Sequence, residues 1–204
     1  MPGLREQLMG ETLPEFVLTL PPGWIRQEPT DDMRKQMLDA AKRRLMSVHR
    51  PDLYAQLTPL VMRAFQEMSR NEVLAFFTPG PDTPDDQYLP ASLTASVLRG
   101  PDGTTLDSAM AELIRNQGAT ALGDDKRILR REQEDVQTLQ DERIPTTTVA
   151  YYIPVPGSGR KRALQFTLVI SHDDADDRES VEWLDGLKAL FDAHLSTFSW
   201  VRPA

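Results

Sequence analysis

From residue 143 to residue 202 the apolar positions follow a legible order. Residues 144–155 are rich in Thr, Val, Tyr and Ile, as long strands are. Pro156-Gly157-Ser158-Gly159 then reverses the chain. Over 163–171 the alternation is strict, with Leu164, Phe166, Leu168 and Ile170 on one face. Val181, Leu184, Leu187, Phe191 and Leu195 follow at helical spacing, and 198–201 close the chain as a strand. This is a hairpin, an amphipathic helix and a final strand. The hairpin is the expected backbone of the sheet. Leu164, Phe166, Leu168 and Ile170 are expected to be buried together with Leu184, Leu187 and Phe191.

The earlier pattern supplies the rest. Phe16-Val17-Leu18-Thr19-Leu20 reads as a short strand ended by Pro21-Pro22-Gly23. Thr30 is a good N-cap, with Asp31 and Asp32 in the first helical turn. Met33, Met37, Ala41, Leu45 and Val48 repeat at helical spacing behind it. A second helical pattern opens at Asp52 and contains Pro59, where the helix is expected to kink or to restart with Thr58 as cap. Residues 73–77 are apolar on both faces and read as a central strand. A solvated acidic loop is expected at 79–86. A half-buried strand follows over 91–98. Leu106, Ala109, Met110, Leu113, Ile114 and Gln117 form a helical stripe closed by Gly118. Residues 122–141 read as two edge strands, 126–131 and 136–139, with charges suited to edges protected against self-pairing.

The expected architecture is α+β. One antiparallel sheet of about six or seven strands carries helices on both faces, in a single domain spanning 1–204, with a two-helix insert at 30–70. A chain of 204 residues can bury a sizeable core.

Charge and composition narrow the function. The formal net charge is −8. Nucleic-acid binding rests on neutralising phosphates with Lys and Arg, so an acidic chain without a long basic stripe argues against it, and against anionic membranes. Cysteine is absent, which removes disulfides, thiolate metal sites and a Cys nucleophile. Met1 to Glu6 carries no apolar h-region, and no apolar run approaches a membrane span, so a cytoplasmic protein is expected.

No catalytic constellation emerges. His49 and His194 fall near helix C-termini, where the dipole favours a protonated imidazole. Neither they nor His172 share a metal-ligand spacing. Asp173-Asp174-Ala175-Asp176-Asp177 lacks the glycine and spacing of a calcium loop and reads as a solvated turn whose acids favour the next helix. Lys126-Arg127 with Arg130-Arg131, and Arg160-Lys161-Arg162, could seat a phosphate or an acidic peptide if adjacent; otherwise they protect a sheet edge and decorate a turn. No catalytic, cofactor or metal residue is assigned.

The ends of the chain resemble a known group. Phe16 to Trp24 runs a strand into Leu20-Pro21-Pro22-Gly23-Trp24. The helix Trp183-Leu184-Asp185-Gly186-Leu187-Lys188-Ala189-Leu190-Phe191-Asp192 and the strand Phe198-Ser199-Trp200 close it. This is similar to the PsbP-like α/β/α sandwich group. That group includes the photosystem extrinsic P proteins, a Ran-binding nuclear import factor and LpqN-type actinobacterial lipoproteins. The resemblance covers roughly 14–25 and 91–202. It implies an antiparallel sheet with helices on both faces and a binding or accessory role, with no shared catalytic set. The lipobox cysteine is missing and the helical insert is extra. The chain is also similar to uncharacterised actinobacterial proteins linked to type VII secretion.

Two functions compete. One is a non-enzymatic interaction or accessory protein with a protein partner. The insert is its expected contact surface, because its first helix is locally basic and rich in Met, with Lys42, Arg43 and Arg44 the expected partner contacts. The other is ligand binding or catalysis in a pocket between sheet and insert, where Tyr151, Tyr152, Arg130 and His172 would have to converge.

Overall fold

A computed structural model of the chain describes residues 13–80, 83–84, 89–139, 142–172 and 178–201. The acidic loop at 173–177 lies outside these residues, as does much of 79–86. The elements run β1 (Phe16–Val17), β2 (Trp24–Gln27), α1 (Asp31–Ser47), α2 (Pro51–Arg70), β3 (Val73–Pro79), β4 (Ala91–Arg99), α3 (Asp107–Asn116), β5 (Thr120–Leu122), β6 (Asp125–Leu139), β7 (Glu142–Pro154), β8 (Arg162–Ser171), α4 (Arg178–Ser196) and β9 (Ser199–Trp200). The fold is α+β, as the alternation and helical stripes imply. A 7-stranded sheet has the order β2-β3-β4-β8-β7-β6-β5. Every neighbouring pair in it is antiparallel. β1 and β9 form a separate 2-stranded pair, which ties the opening of the described chain to its close through Phe16 opposite Trp200.

One face of the sheet carries the core. Leu164, Phe166, Leu168 and Ile170 on β8 align with Val149, Tyr151 and Ile153 on β7, with Leu93 and Ala95 on β4, and with Ala75 and Phe77 on β3. α4 lies over them and inserts Leu187, Phe191 and Leu195. Trp24 stands edge-on to Phe191 at 5.0 Å between ring centroids. The Pro-Pro-Gly before it makes the turn: Gly23 has φ 77°, and a Cβ there would come 2.9 Å from Thr83 Oγ1. Leu184, expected in the core, is only half-buried, and Val181 is exposed. Both lie in the first two turns of α4, where the helix overhangs the end of β8.

The second face is covered unevenly. Phe65 of α2 packs edge-on to Phe76 of β3, 6.1 Å between centroids, which explains why β3 is apolar on both faces. Farther along, Thr94, Thr148, Gln165, Thr167 and Val169 stay half-buried.

Three expectations are corrected. The residues read as two edge strands form one strand, β6, paired with β7 from Leu129 to Leu139. The polar run between them is held by a partner of equal length, a long-range pairing that local composition does not reveal. α2 does not restart at Pro59 with Thr58 as cap but continues through it. The Pro59 side chain is on the exposed side, and the Thr58 hydroxyl donates to the Tyr54 carbonyl at 2.9 Å. α3 buries none of its own residues. Ile114 and Ala109 face solvent, and the helix sits beside the β7–β8 turn, where the Leu106 amide donates to the Arg160 carbonyl at 2.8 Å.

Truncation separates core from insert. Phe191→Ala is expected to cost about 3–5 kcal/mol, the range for emptying a buried aromatic site. Met37→Ala on α1 is expected to stay within about 0.5 kcal/mol of wild type. Urea unfolding of the two variants checks this, and equal losses would contradict it.

Candidate functional site

Three regions hold the unusual chemistry. The first is a charged network under α4. Even-numbered β6 residues share the α4 face with Ile128, which places Arg130 and Glu132 against the helix. Arg130 Nε donates to Asp192 at 2.9 Å and its Nη2 to Glu132 at 2.9 Å. Lys188 Nζ reaches Glu132 at 2.9 Å and Asp185 at 2.8 Å. The fully buried Tyr151 donates its hydroxyl to Asp192 at 2.6 Å. Burial first, and the Asp192 carboxylate second, push the Tyr151 phenol far above its ordinary range. It therefore keeps its proton and serves as a donor, not as a base. Burial works to raise the Glu132 carboxyl, but hydrogen bonds from Lys188 and Arg130, with their charges, hold it below its ordinary 4.5. Every charge in the network has an opposite partner, so it clamps α4 to the sheet and leaves no group poised for chemistry.

The second region is an open cleft of about 860 Å³ at the end of the sheet. β8 ends at Ser171, opposite Thr146, while the β6–β7 ribbon continues past it through Val136 opposite Pro145 and Gln137 opposite Ile144. The ribbon makes one wall and the first turns of α4 make the other. Glu134, Asp135, Val136, Ile144, Pro145, His172, Glu179, Val181, Trp183 and Leu184 line it. His172 is held at its inner edge, Nε2 to the Thr147 hydroxyl at 3.2 Å.

The third region is the helical hairpin. Thr30 Oγ1 accepts the Met33 amide at 3.2 Å and caps α1 as its sequence predicts. His49 makes the turn at φ 57°, and Arg50 grips Asp52 at 2.8 Å beside it. α1 packs on α2 through half-buried Met33, Leu38, Ala41 and Leu45. It has no buried residue. Lys42, Arg43 and Arg44 are all exposed, as are Met37, Met46 and Val48.

The other expected sites disperse. Tyr151 and Tyr152, adjacent on a strand, point to opposite faces; Tyr151 joins the α4 network and Tyr152 does not. Arg130 is consumed by Asp192 and Glu132, and His172 lies in the cleft at the sheet's end. The four residues of a pocket between sheet and insert thus do not converge. The two basic clusters do not build an anion seat either. Arg127 pairs with Asp125 at 2.7 Å, Arg130 with Asp192, and Arg160 with Asp107 at 3.3 Å. His194 sits in the last turn of α4 as expected. Among the described residues no group of three or more His, Asp or Glu side chains is placed to hold a metal ion, and no helix is long and apolar enough to cross a membrane. Sequence reasoning missed the cleft. Its only signals were Val136 and Val181, apolar residues that end on exposed positions.

No protein-family model, curated protein or solved structure matches the chain.

The α4 clamp has a pH signature. The folded Glu132 carboxyl lies below its unfolded value, so its contribution is present above pH 4.5 and is lost as pH falls through the depressed folded value. Glu132→Gln is expected to flatten the acid limb of the stability–pH curve. Tyr151→Phe is expected to cost about 1–3 kcal/mol, since it removes a donor from a buried carboxylate, with no change in that limb. Urea midpoints collected from neutral pH down to acid check both, and an unaltered acid limb in Glu132→Gln would sink the assignment.

Proposed function

We propose that this chain is a non-enzymatic interaction or accessory protein of the cytoplasm, and that the α1–α2 hairpin is the element that docks an acidic protein partner. One observation carries the proposal. α1 is a 17-residue, capped helix with no buried residue, packed chiefly on α2, with Lys42, Arg43 and Arg44 turned to solvent. A helix that contributes nothing to the core is dispensable to the sandwich, and function tends to reside in such grafted elements. The exposed Met37 and Met46 add adaptable apolar contact beside the cations. An acidic protein that carries a basic helix on a projecting arm presents opposite fields at different places, which steers association by orientation.

The likeness of its ends to the PsbP-like group supports an accessory role. The likeness to proteins linked to type VII secretion suggests where such a role would be exercised. The overall acidity weighs against nucleic acid or an anionic membrane as the partner.

Charge reversal tests this. K42E/R43E/R44E is expected to keep the wild-type circular dichroism spectrum and melting temperature within a few degrees. As bait in the native organism it should lose partners that wild type retains at low salt and releases as salt rises. Quantitative mass spectrometry of the two baits at two ionic strengths reads the result. Retention of every partner with unchanged salt dependence would make the hairpin structural only.

A further inference from the structure

Sulfur is distributed unevenly in this chain. Cysteine is absent, so methionine carries all of it. Among the described residues Met33, Met37 and Met46 lie on α1, Met62 and Met68 on α2, and Met110 alone lies elsewhere, on α3. The buried apolar core of the sandwich contains no methionine; Leu, Ile, Val, Ala and aromatic side chains build it. The hairpin methionines are not buried either. Met37 is 37% exposed and Met46 41%, while Met33, Met62 and Met68 are half-buried. Each is open to a small solute and still keeps much of its surface against protein.

A solvent-accessible thioether has a chemistry that Leu lacks. A peroxide oxidises it by two electrons. The sulfur lone pair attacks one peroxide oxygen, and the S–O bond forms as the O–O bond breaks. With hydrogen peroxide, the departing hydroxide takes the proton left on the new sulfoxide oxygen and becomes water. Sulfur is oxidised and the peroxide is reduced. The sulfoxide is polar, and it disrupts Met-rich contacts.

The element that carries these groups is poorly placed to absorb the change. α1 has no buried residue. It packs chiefly on α2, through a half-buried seam that includes Met33. A polar oxygen set against apolar contacts costs desolvation, and α1 has no core contact to offset it. The sheet meets the hairpin through Phe65 of α2 against Phe76, so α1 can loosen while the sheet stays as it is.

We propose that Met37 and Met46 are sites of reversible oxidation by peroxides, and that their sulfoxides release α1 from α2 while the sandwich stays folded. Loosening then bares Met33 and Met62, so oxidation of the hairpin proceeds in two stages. Neither the modification nor the release depends on what the hairpin docks. Where it docks an acidic partner, the same event withdraws the helix that presents Lys42, Arg43 and Arg44.

The test treats purified full-length protein with hydrogen peroxide. Peptide mass spectrometry maps the sulfoxides, and backbone amide exchange reads the structure. Met37 and Met46 should oxidise ahead of the half-buried Met110. After oxidation the α1 amides are expected to exchange about tenfold faster or more, as a polar group set against apolar contacts implies. Those of β7, β8 and α4 should exchange as before. Methionine sulfoxide reductases with dithiothreitol should restore slow exchange in α1. M37L/M46L, close in volume and equally helix-forming, should keep α1 slow at the same peroxide dose. K42E/R43E/R44E should respond as wild type does, so failure here is distinguishable from failure of the docking reading. Three results would overturn the proposal: Met110 oxidising as fast as Met37 and Met46, α1 exchange unchanged when both are fully oxidised, or M37L/M46L loosening as much as wild type.

Discussion

Everything in this fold depends on how α4 is held over one face of the sheet. Two kinds of contact do it. Leu187, Phe191 and Leu195 sink into the apolar face of the sheet, and Trp24 closes the side through Phe191. Such apolar contact is strong but does not fix register, because one helical turn resembles the next. The polar contacts fix it. Asp192 follows Phe191 directly, receives the Tyr151 hydroxyl from the middle of the sheet, and pairs with Arg130 from β6. Lys188, one turn earlier, does the same for Glu132. A slip of α4 along its axis would leave a fully buried phenol without an acceptor, which costs about 1–3 kcal/mol before any packing is lost.

That placement decides where the ends of α4 fall, and with them the surfaces. Its C-terminal turn meets β9 and the β1 strand, closing the sandwich. Its N-terminal turns overhang the end of β8, beyond the strand that would otherwise have buried them. Val181, Trp183 and Leu184 therefore keep a helical apolar spacing with no sheet fully beneath it, and the projecting β6–β7 ribbon faces them across open space. The cleft is thus a consequence of unequal lengths: β6 and β7 are 15 and 13 residues long while β8 is 10.

The sequence was most legible where local pattern and tertiary contact agree. The alternation on β8 names four core residues, and all four are buried. The helical period of α4 names its core turns but extends one turn too far, to Val181, because periodicity carries no information on where the opposing sheet stops. β6 reads as two strands in sequence because Glu132 to Asp135 has little intrinsic strand preference; what holds it extended is β7, a partner that composition does not announce. The hairpin was visible in its caps and spacing. That α1 would bury nothing was not, since its half-buried stripe against α2 looks in sequence like a stripe against a sheet. Of the residues singled out for chemistry, Lys42, Arg43 and Arg44 emerge exposed on one helix. Tyr151 and Arg130 meet at Asp192, an acid 62 positions after Arg130, but Tyr152 faces the other side of the sheet and His172 lies in the cleft, so the four build no common pocket.

The bulk charge of the chain is a poor guide to its surfaces for the same reason. A net −8 describes the far field, which screens out within about 10 Å at ordinary salt. At contact distance the local charges decide: Lys42, Arg43 and Arg44 are exposed on α1, and Glu134, Asp135 and Glu179 line the cleft. The two are mechanically separate. The hairpin joins the sheet at β3 through Phe65 and Phe76, three strands from β7 in the sheet order, whereas the cleft is built from the ends of β6, β7 and α4. The net charge therefore does not say which sign a partner would meet at either place.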